Sequence, residues 1–177
     1  MDLRKKLGLS NPSLRVFLFS FTAVAMTGIV FHPDAAQAKW TRTHASHCMN
    51  LGGGSAYDAS SAIWNNSTTS ALELLCAVSD TDYLAKGSLT ELNIHGKDGH
   101  PSQNVDAMAC RATWWVTGGA CSAIVSSPTG TPDYTLSPNR SVWSGGAVVG
   151  DFGYVWVRLP VKSGSSRSSL RGFYTTN

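Results

Sequence analysis

Short apolar runs, separated by clusters of glycine, serine, threonine, asparagine and proline, make up most of the sequence from residue 39 onward. Helical periodicity is nearly absent from this part of the chain. Brief apolar runs bounded by turn-forming residues are typical of the strands of an all-β sandwich or barrel. The sequence therefore predicts an all-β domain, an antiparallel β-sandwich of jelly-roll-like arrangement.

These runs predict seven strands. They are expected at 61–66, 71–79, 88–96, 104–117, 120–126, 146–160 and 168–176. The run from Val148 to Leu159 is the most apolar and should be a central strand. Residues 39–60 should be mostly irregular, and the turn-rich segment 127–145 should form a long surface loop.

The strand expected at 104–117 also predicts which of its sides faces the core. One face carries an apolar set, which consists of Met108, Cys110, Ala112, Trp114 and Val116. Arg111 and Thr113 lie on the other face, because side chains alternate along a strand. We therefore expect the apolar set to be buried. Trp115 falls on the polar face, where it is either covered by a neighbouring segment or exposed.

The first 38 residues have the three parts of a secretory signal peptide. A basic flank precedes an apolar stretch at 16–31, and small residues ending in Ala36-Gln37-Ala38 provide a cleavage site. The apolar stretch has about 16 residues, whereas a membrane-spanning helix needs roughly 20. We therefore expect cleavage after Ala38 rather than a membrane anchor, leaving a single secreted or periplasmic domain at 39–177 with no stable membrane insertion.

The charge of that mature domain is low. Removing the leader takes away four of the 14 basic and two of the 11 acidic residues, so the formal charge falls from +3 to about +1. Proteins that bind nucleic acid normally carry a basic patch or stripe. Nucleic acid and anionic membrane surfaces are therefore not expected as partners.

The four cysteines all lie in the mature part, where an even number predicts two disulfides. Three connectivities are possible, and we favour Cys48–Cys76 with Cys110–Cys121. A tight turn at Gly118-Gly119 would move Cys110 far from Cys121, so the second bond requires an irregular turn or a strand that changes sheets. A metal site at 44–48 is the alternative, but paired ligands such as C-x2-C are missing, and we expect neither metal nor cofactor.

The spacing of several short motifs resembles that of a group of small exported bacterial β-sandwich proteins common in myxobacteria. The matching positions are Cys48, Tyr57, Asn66-Ser67, Cys76-Ala77-Val78, Cys110, Leu159-Pro160 and 169–174. The chain departs from the group's pattern at Ala77, where the group has proline, and at Val157, where it has its last cysteine. The resemblance implies the fold and export, with Cys121 as a relocated partner of Cys110. It implies no activity.

Two sets of residues are candidates for a functional site. His95, Asp98 and His100 place two imidazoles around one carboxylate, which would suit proton transfer or metal binding. A polar turn is the alternative interpretation, because Lys-Asp-Gly is a common loop sequence. Asp80-Thr81-Asp82 is expected to be a short acidic turn rather than a calcium loop.

Aromatic residues form the second set, because flat rings can stack on the apolar faces of sugars. We expect Trp115, Trp143 and Tyr134 to be exposed and available for binding, and Trp114 and Trp156 to lie in the core.

The function expected from these features is that of an exported, non-enzymatic β-sandwich module. It would bind a polysaccharide or an envelope protein, or form part of an extracellular surface. The alternative is a secreted hydrolase with its site near His95–His100; a nucleophile elbow of the G-x-S-x-G kind is missing from the sequence.

Overall fold

A computed structural model describes residues 39–57, 61–80, 85–113, 119–130, 133–144 and 151–177. The predicted leader lies outside these ranges, as do Trp114 and Trp115. In chain order, the described strands are β1 (Trp40–His44), β2 (Cys48–Gly52), β3 (Ser55–Tyr57), β4 (Ile63–Asn65), β5 (Leu72–Ala77), β6 (Glu91–Lys97), β7 (Asp106–Thr113), β8 (Gly119–Cys121), β9 (Val125–Ser126), β10 (Tyr134–Leu136), β11 (Asp151–Leu159) and β12 (Ser169–Thr176). Short 3₁₀ turns lie at Ala45–His47 and Lys86–Ser88, and the helix α1 spans Ser141–Ser144.

The strands form two antiparallel sheets. The first sheet has the order β10-β6-β12-β4-β3, and β1 pairs with β12 beside β4. The second sheet has the order β2-β5-β11-β7-β8, and β9 continues the pairing along β7. The central position of β11 between β5 and β7 confirms the strand predicted from the most apolar run.

The strand order is that of a jelly roll. In the first sheet the order β1-β12-β6-β10 lies opposite β5-β11-β7-β8 in the second. The chain changes sheet at every step from β5 to β12 except along β7, β8 and β9, which share the second sheet. Two such interlocked four-stranded sheets define the jelly-roll arrangement. The predicted all-β, jelly-roll-like sandwich is therefore confirmed.

The core lies between the sheets and is filled by alternate residues of each strand. The second sheet contributes Leu72, Leu74 and Cys76 from β5 and Val155, Val157 and Leu159 from β11, all completely buried. The first sheet contributes Ile94, Leu170 and Phe173 from the opposite side. Two-residue alternation in these strands is what places one face of each sheet in the core.

Two segments predicted to be irregular contain paired strands. Residues 39–57 form β1, β2 and β3, and the expected loop at 127–145 contains β10 and α1. These strands are short or polar, as in the Trp-Thr-Arg-Thr-His sequence of β1. Pairing with β12, β5 and β6 supplies the hydrogen bonds, so the strands form without a local apolar run.

Both predicted disulfides are present. Cys48 bonds Cys76 and Cys110 bonds Cys121, in each case between residues directly opposite each other on neighbouring strands. Gly119 pairs with Ala112 in β8, which excludes the register that a tight turn at Gly118-Gly119 would impose. Cys121 therefore lies directly opposite Cys110.

The face of β7 predicted to be buried is the wrong one. Ala107 and Ala109 are completely buried and belong to the core, whereas Met108 and Ala112 are partly exposed on the outer side of the second sheet. Cys110 points to that outer side as well, where its disulfide to Cys121 covers it. Ala107 and Ala109 face the core. Side chains of the neighbouring strand β11 and of the opposite sheet fill the core around them, so these two positions need only small residues.

Among the described helices, none has the length and apolar character needed to cross a membrane.

Candidate binding site

The outer face of the second sheet carries three aromatic residues in a row. Phe152, Tyr154 and Trp156 lie at alternate positions of β11, and their neighbours Val155, Val157 and Leu159 point into the core. Alternate residues on a strand are about 7 Å apart. The aromatic row, defined as Phe152, Tyr154 and Trp156, therefore extends about 14 Å along the centre of the sheet.

The strands on either side leave the row accessible. Tyr154 lies opposite Ala77 on β5 and Cys110 on β7, and Phe152 lies opposite Ala112. These small neighbours do not cover the rings, and Phe152 is 61% exposed. Leu75 and Met108 flank Trp156 and extend the apolar surface sideways. Large exposed apolar patches of this kind mark interaction sites in proteins.

Charged side chains border one end of the aromatic row. Arg158 follows Trp156 on the same face of β11, between Glu73 on β5 and Asp106 on β7. Trp156 Nε1 donates to Glu73 Oε2 at 3.4 Å, and Arg158 Nη1 lies 3.7 Å from Asp106 Oδ2. The guanidinium and the two carboxylates provide donors and acceptors next to the rings, as binding sites require for orientation.

The other end of the row opens into a groove of about 1010 Å³. Phe152, Tyr154 and Lys86 are among its lining residues, and Lys86 is paired with Asp80. Hydrogen bonds from Lys86 to Asp80 lower the pKa of that carboxyl, although burial acts in the opposite direction and is the largest single effect. Asp151 also lines the groove, and its buried Oδ1 has no hydrogen-bond partner. Asp151 lies on the inward side of β11, and its Oδ2 is 4.0 Å from Arg111 Nη1.

The prediction that Trp156 lies in the core is wrong. The run from Val148 to Leu159 is the most apolar of the chain, which predicts a central strand but does not show which of its sides faces the core. The type of residue at alternate positions of β11 distinguishes its two sides. The outward positions 152, 154 and 156 are aromatic, whereas the inward positions 155, 157 and 159 are aliphatic. The separation of rings from aliphatic side chains along this strand therefore distinguishes its outer face from its core face.

Trp143 and Tyr134, predicted to be exposed, are buried. Trp143 is 1% exposed and its Nε1 donates to the carbonyl of Cys110 at 2.7 Å. Tyr134 is 5% exposed and its hydroxyl donates to the carbonyl of Ser169 at 2.9 Å. Burial, with a smaller contribution from Asp98, raises the pKa of Tyr134. The prediction of exposure is therefore wrong for both, because β10 and α1 replace the expected loop. Trp115 lies outside the described residues.

His95, Asp98 and His100 do not share one surface. Asp98 is 1% exposed and accepts hydrogen bonds from Ser127, Ser168 and the backbone N–H of His100. His100 is also buried, and its Nδ1 accepts from two backbone N–H groups, those of Ser102 and Gln103. These contacts are those of the alternative interpretation, a polar turn.

His95 points to the outer face of the first sheet, on the opposite side of its strand from the core residue Ile94. Its ring stacks on Tyr174 at 5.5 Å between centroids, and Nδ1 lies 3.1 Å from Thr135 Oγ1. Burial, and then the charge of Arg171, lower the pKa of His95 below its usual 6.5. Its environment is therefore separate from that of the buried Asp98.

The metal alternative at 44–48 is wrong, because Cys48 is bonded to Cys76. Within the described residues, no group of three or more histidine, cysteine, aspartate or glutamate side chains is placed to hold a metal ion.

No family model matches the chain, and no curated protein matches it either. Among solved structures, a carbohydrate-binding module of family 29 is similar at 11% identity and a TM-score of 0.42, covering 78% of this chain and 88% of that one. A mutant of a family 29 module covers 78% and 91% at the same identity and TM-score. A low-affinity xylan-binding module, CBM86, from Roseburia intestinalis also matches at 11% identity and a TM-score of 0.42, covering 79% and 94%.

Proposed function

We propose that this protein is an exported, non-enzymatic module that binds polysaccharide chains through the outer face of its second sheet. The aromatic row on β11 is the observation that carries the proposal. Pyranose rings present apolar C–H faces, which stack on flat aromatic rings, and hydroxyl groups at their edges. A straight row of three rings at about 7 Å intervals suits a ligand that is itself extended and repetitive.

The polar groups around the row support the same ligand class. Arg158, Glu73 and Asp106 lie together at one end of the row, on the same outer face of the sheet. These groups can exchange hydrogen bonds with sugar hydroxyls while the rings hold the apolar faces, the combination of apolar lining and a few polar groups that is common in ligand sites. Asp98 and His100 are buried, and their hydrogen bonds hold this turn and the adjoining loops, which supports a non-enzymatic role.

Export is part of the proposal. Two disulfides form and persist in oxidising compartments, and the first 38 residues have the pattern of a cleavable leader. We infer that the mature domain begins at Lys39 and acts in the periplasm or outside the cell, where polysaccharides are accessible to it.

Binding to insoluble and gel-embedded polysaccharides tests the proposal. The mature domain should be retained by at least one neutral polysaccharide from a panel of β-glucans, xylans, mannans and chitin. Trp156→Ala and Phe152→Ala should each weaken that retention by about tenfold, because a stacked ring contributes on the order of 1–1.5 kcal/mol. Trp40→Ala is the matched control, since Trp40 is 57% exposed on the other sheet.

Two results would contradict the proposal. One is retention that stays unchanged in Trp156→Ala and Phe152→Ala while the circular dichroism of both variants matches the wild type. The other is a wild-type dimer, seen by analytical ultracentrifugation, that these substitutions dissociate while no polysaccharide is bound. The second result would show that the apolar face joins two copies of the chain.

A further inference from the structure

A basic depression lies on the outer face of the first sheet, away from the aromatic row. Gly172 on β12 is opposite both His44 on β1 and His95 on β6. Neighbouring strands are about 4.8 Å apart, so the two imidazoles are carried by backbones about 10 Å apart with no side chain between them. Arg42, Arg171 and Tyr174 complete the depression, which has a volume of about 440 Å³. We call these residues together the basic slot.

Backbone geometry keeps the slot open. The register of β12 shifts between Leu170 and Gly172, and Gly172 has a φ of +149°. A Cβ at this position would lie 2.4 Å from the carbonyl oxygen of Thr43, closer than packed atoms allow. Only glycine fits this bulge without displacing β1, and the missing side chain leaves the gap between the imidazoles.

Apart from the phenol of Tyr174, the ionisable side chains that line the slot, among the described residues, are basic: Arg42, His44, His95 and Arg171. Arg171 Nη1 lies 3.0 Å from Asp133 Oδ1, but both side chains are more than half exposed, so solvent screens this pair. The guanidinium of Arg42 lies 4.6 Å from the ring centre of Trp40. Two guanidinium groups at one depression favour a ligand with negative charge.

The rings of the slot are held in fixed orientations. Tyr174 and His95 are nearly parallel, at 15° between their planes. Asn93 Nδ2 donates to the Tyr174 hydroxyl at 2.8 Å, and Asn93 Oδ1 accepts from Ser137. Such a chain of hydrogen bonds orients Tyr174 before a ligand arrives, which lowers the entropic cost of binding.

We propose that the basic slot is a second binding site, which takes a saccharide carrying a carboxylate or sulfate group. Arg42 and Arg171 would bind the oxyanion, and Tyr174 with His95 would contact the sugar ring. Guanidinium groups bind planar oxyanions through paired N–H donors, while the rings supply the flat apolar surface that an inorganic ion does not need. The site lies on the sheet opposite to the aromatic row and does not depend on it.

Calorimetric titration with short oligosaccharides tests the second site. The ligands are an oligouronate, a sulfated oligosaccharide of similar length, a neutral oligosaccharide that is retained by the aromatic row, and inorganic sulfate. Arg42→Gln and Arg171→Gln should each weaken binding of the acidic oligosaccharide about tenfold or more, and Tyr174→Ala should weaken it similarly. Comparing the affinities of the oligouronate and the sulfated oligosaccharide shows whether the slot prefers a carboxylate or a sulfate group.

Arg167→Gln is the matched control. Arg167 is exposed, and its guanidinium lies 5.4 Å from the ring centre of Trp64, much as that of Arg42 lies over Trp40, but Arg167 lines neither the slot nor the aromatic row. Binding of acidic oligosaccharides should survive Arg167→Gln, and retention on neutral polysaccharide should survive Arg171→Gln. A failure of this proposal is thus distinguishable from a failure of the aromatic row.

Three results would overturn the second site. The first is that neither acidic oligosaccharide binds the wild type. The second is that Arg171→Gln, Arg42→Gln and Arg167→Gln all reduce binding equally, which would indicate attraction by net charge alone. The third is that inorganic sulfate binds as tightly as the sulfated oligosaccharide and Tyr174→Ala changes neither affinity, which would indicate a simple ion site.

Discussion

Asp98 shows how one buried carboxylate holds several segments of the sandwich together. It follows β6 directly and accepts hydrogen bonds from hydroxyls of Ser127, which follows β9, and Ser168, which precedes β12. Ser127 also accepts from the backbone N–H of Val105, just before β7. A buried carboxylate needs such donors to compensate for its lost hydration. The loops at this end of the sandwich are therefore fixed by a single side chain.

Replacing Asp98 should cost more stability than replacing an exposed aspartate. Asp98→Ala leaves the hydroxyls of Ser127 and Ser168 and one backbone N–H without their acceptor, and hydrogen bonds to charged groups are worth about 1.5–3 kcal/mol each. We expect the free energy of unfolding, measured in urea, to fall by at least about 3 kcal/mol.

Asp133→Ala is the control for that measurement. Asp133 is 68% exposed and its ion pair with Arg171 is on the surface, so its removal should change the free energy of unfolding by less than about 1 kcal/mol. Equal losses in the two variants would show that the carboxylate of Asp98 contributes no more than a surface charge.

The same residues explain why sequence reasoning could not decide between a turn and a catalytic site at 95–100. A catalytic site and a tight turn can both contain histidine, aspartate and glycine at short spacing, because both need hydrogen-bonding groups close to the backbone. The two differ in whether the carboxylate is buried and in which groups donate hydrogen bonds to it. Ser127 and Ser168 are distant from Asp98 in the sequence, and no local sequence pattern predicts that they contact it.

Strands β7 and β11 show where sequence reasoning about elements succeeds and where it stops. The existence of both strands, and the central place of β11, follow from their apolar runs. The orientation of β7 does not, because Met108, Cys110 and Ala112 on its outer face are as apolar as Ala107 and Ala109 on its inner face. Alternation identifies the buried side only when the outer side is polar. An outer face lined with apolar groups removes the difference in polarity between the two sides of the strand.

Short edge strands were missed for a different reason. β1, β2 and β10 depend on pairing with β12, β5 and β6, and those partners are up to 136 positions away, as for Trp40 and Thr176. The disulfide of Cys48 is predicted correctly nonetheless, because an even number of cysteines indicates pairing without any knowledge of the strand. The sequence therefore predicts the disulfides and the strands that have local apolar runs, but it does not predict pairing between strands that are distant in the sequence.

The two disulfides should contribute unequally to stability. Both connect an edge strand to its neighbour, but Cys48 and Cys76 are separated by 28 positions and Cys110 and Cys121 by 11. In the chain-entropy model the longer loop stabilises by about 3.6 kcal/mol and the shorter by about 2.8 kcal/mol. Removing Cys48 and Cys76 also takes sulfur out of the core, where Cys76 is completely buried.

Paired substitutions to alanine measure this difference. Cys48→Ala with Cys76→Ala should lower the free energy of unfolding in guanidinium chloride by about 4 kcal/mol, and Cys110→Ala with Cys121→Ala by about 3 kcal/mol or less. The wild type in reductant is a further comparison. A larger loss from the 110–121 pair than from the 48–76 pair would contradict the assignment of Cys48–Cys76 to the core.

At the scale of the whole molecule, the two proposed sites lie on opposite outer faces of one sandwich. The aromatic row belongs to β11 at the centre of the second sheet, and the basic slot lies across β1, β12 and β6 of the first sheet. The core between them is filled by side chains from both sheets. Each face can therefore hold an extended ligand without obstructing the other.

Simultaneous binding at the two faces follows from this arrangement and rests on both proposals. A fluorescent acidic oligosaccharide should sediment with an insoluble neutral polysaccharide only when the mature domain is present, because one molecule then holds both. Trp156→Ala should leave the label in solution by releasing the protein from the solid, and Arg171→Gln should leave it in solution while the protein still sediments. Label that sediments with Arg171→Gln as efficiently as with the wild type would contradict the basic slot. Acidic ligand that releases the wild type from the solid would show that the two faces compete, which separate faces on opposite sheets should not do.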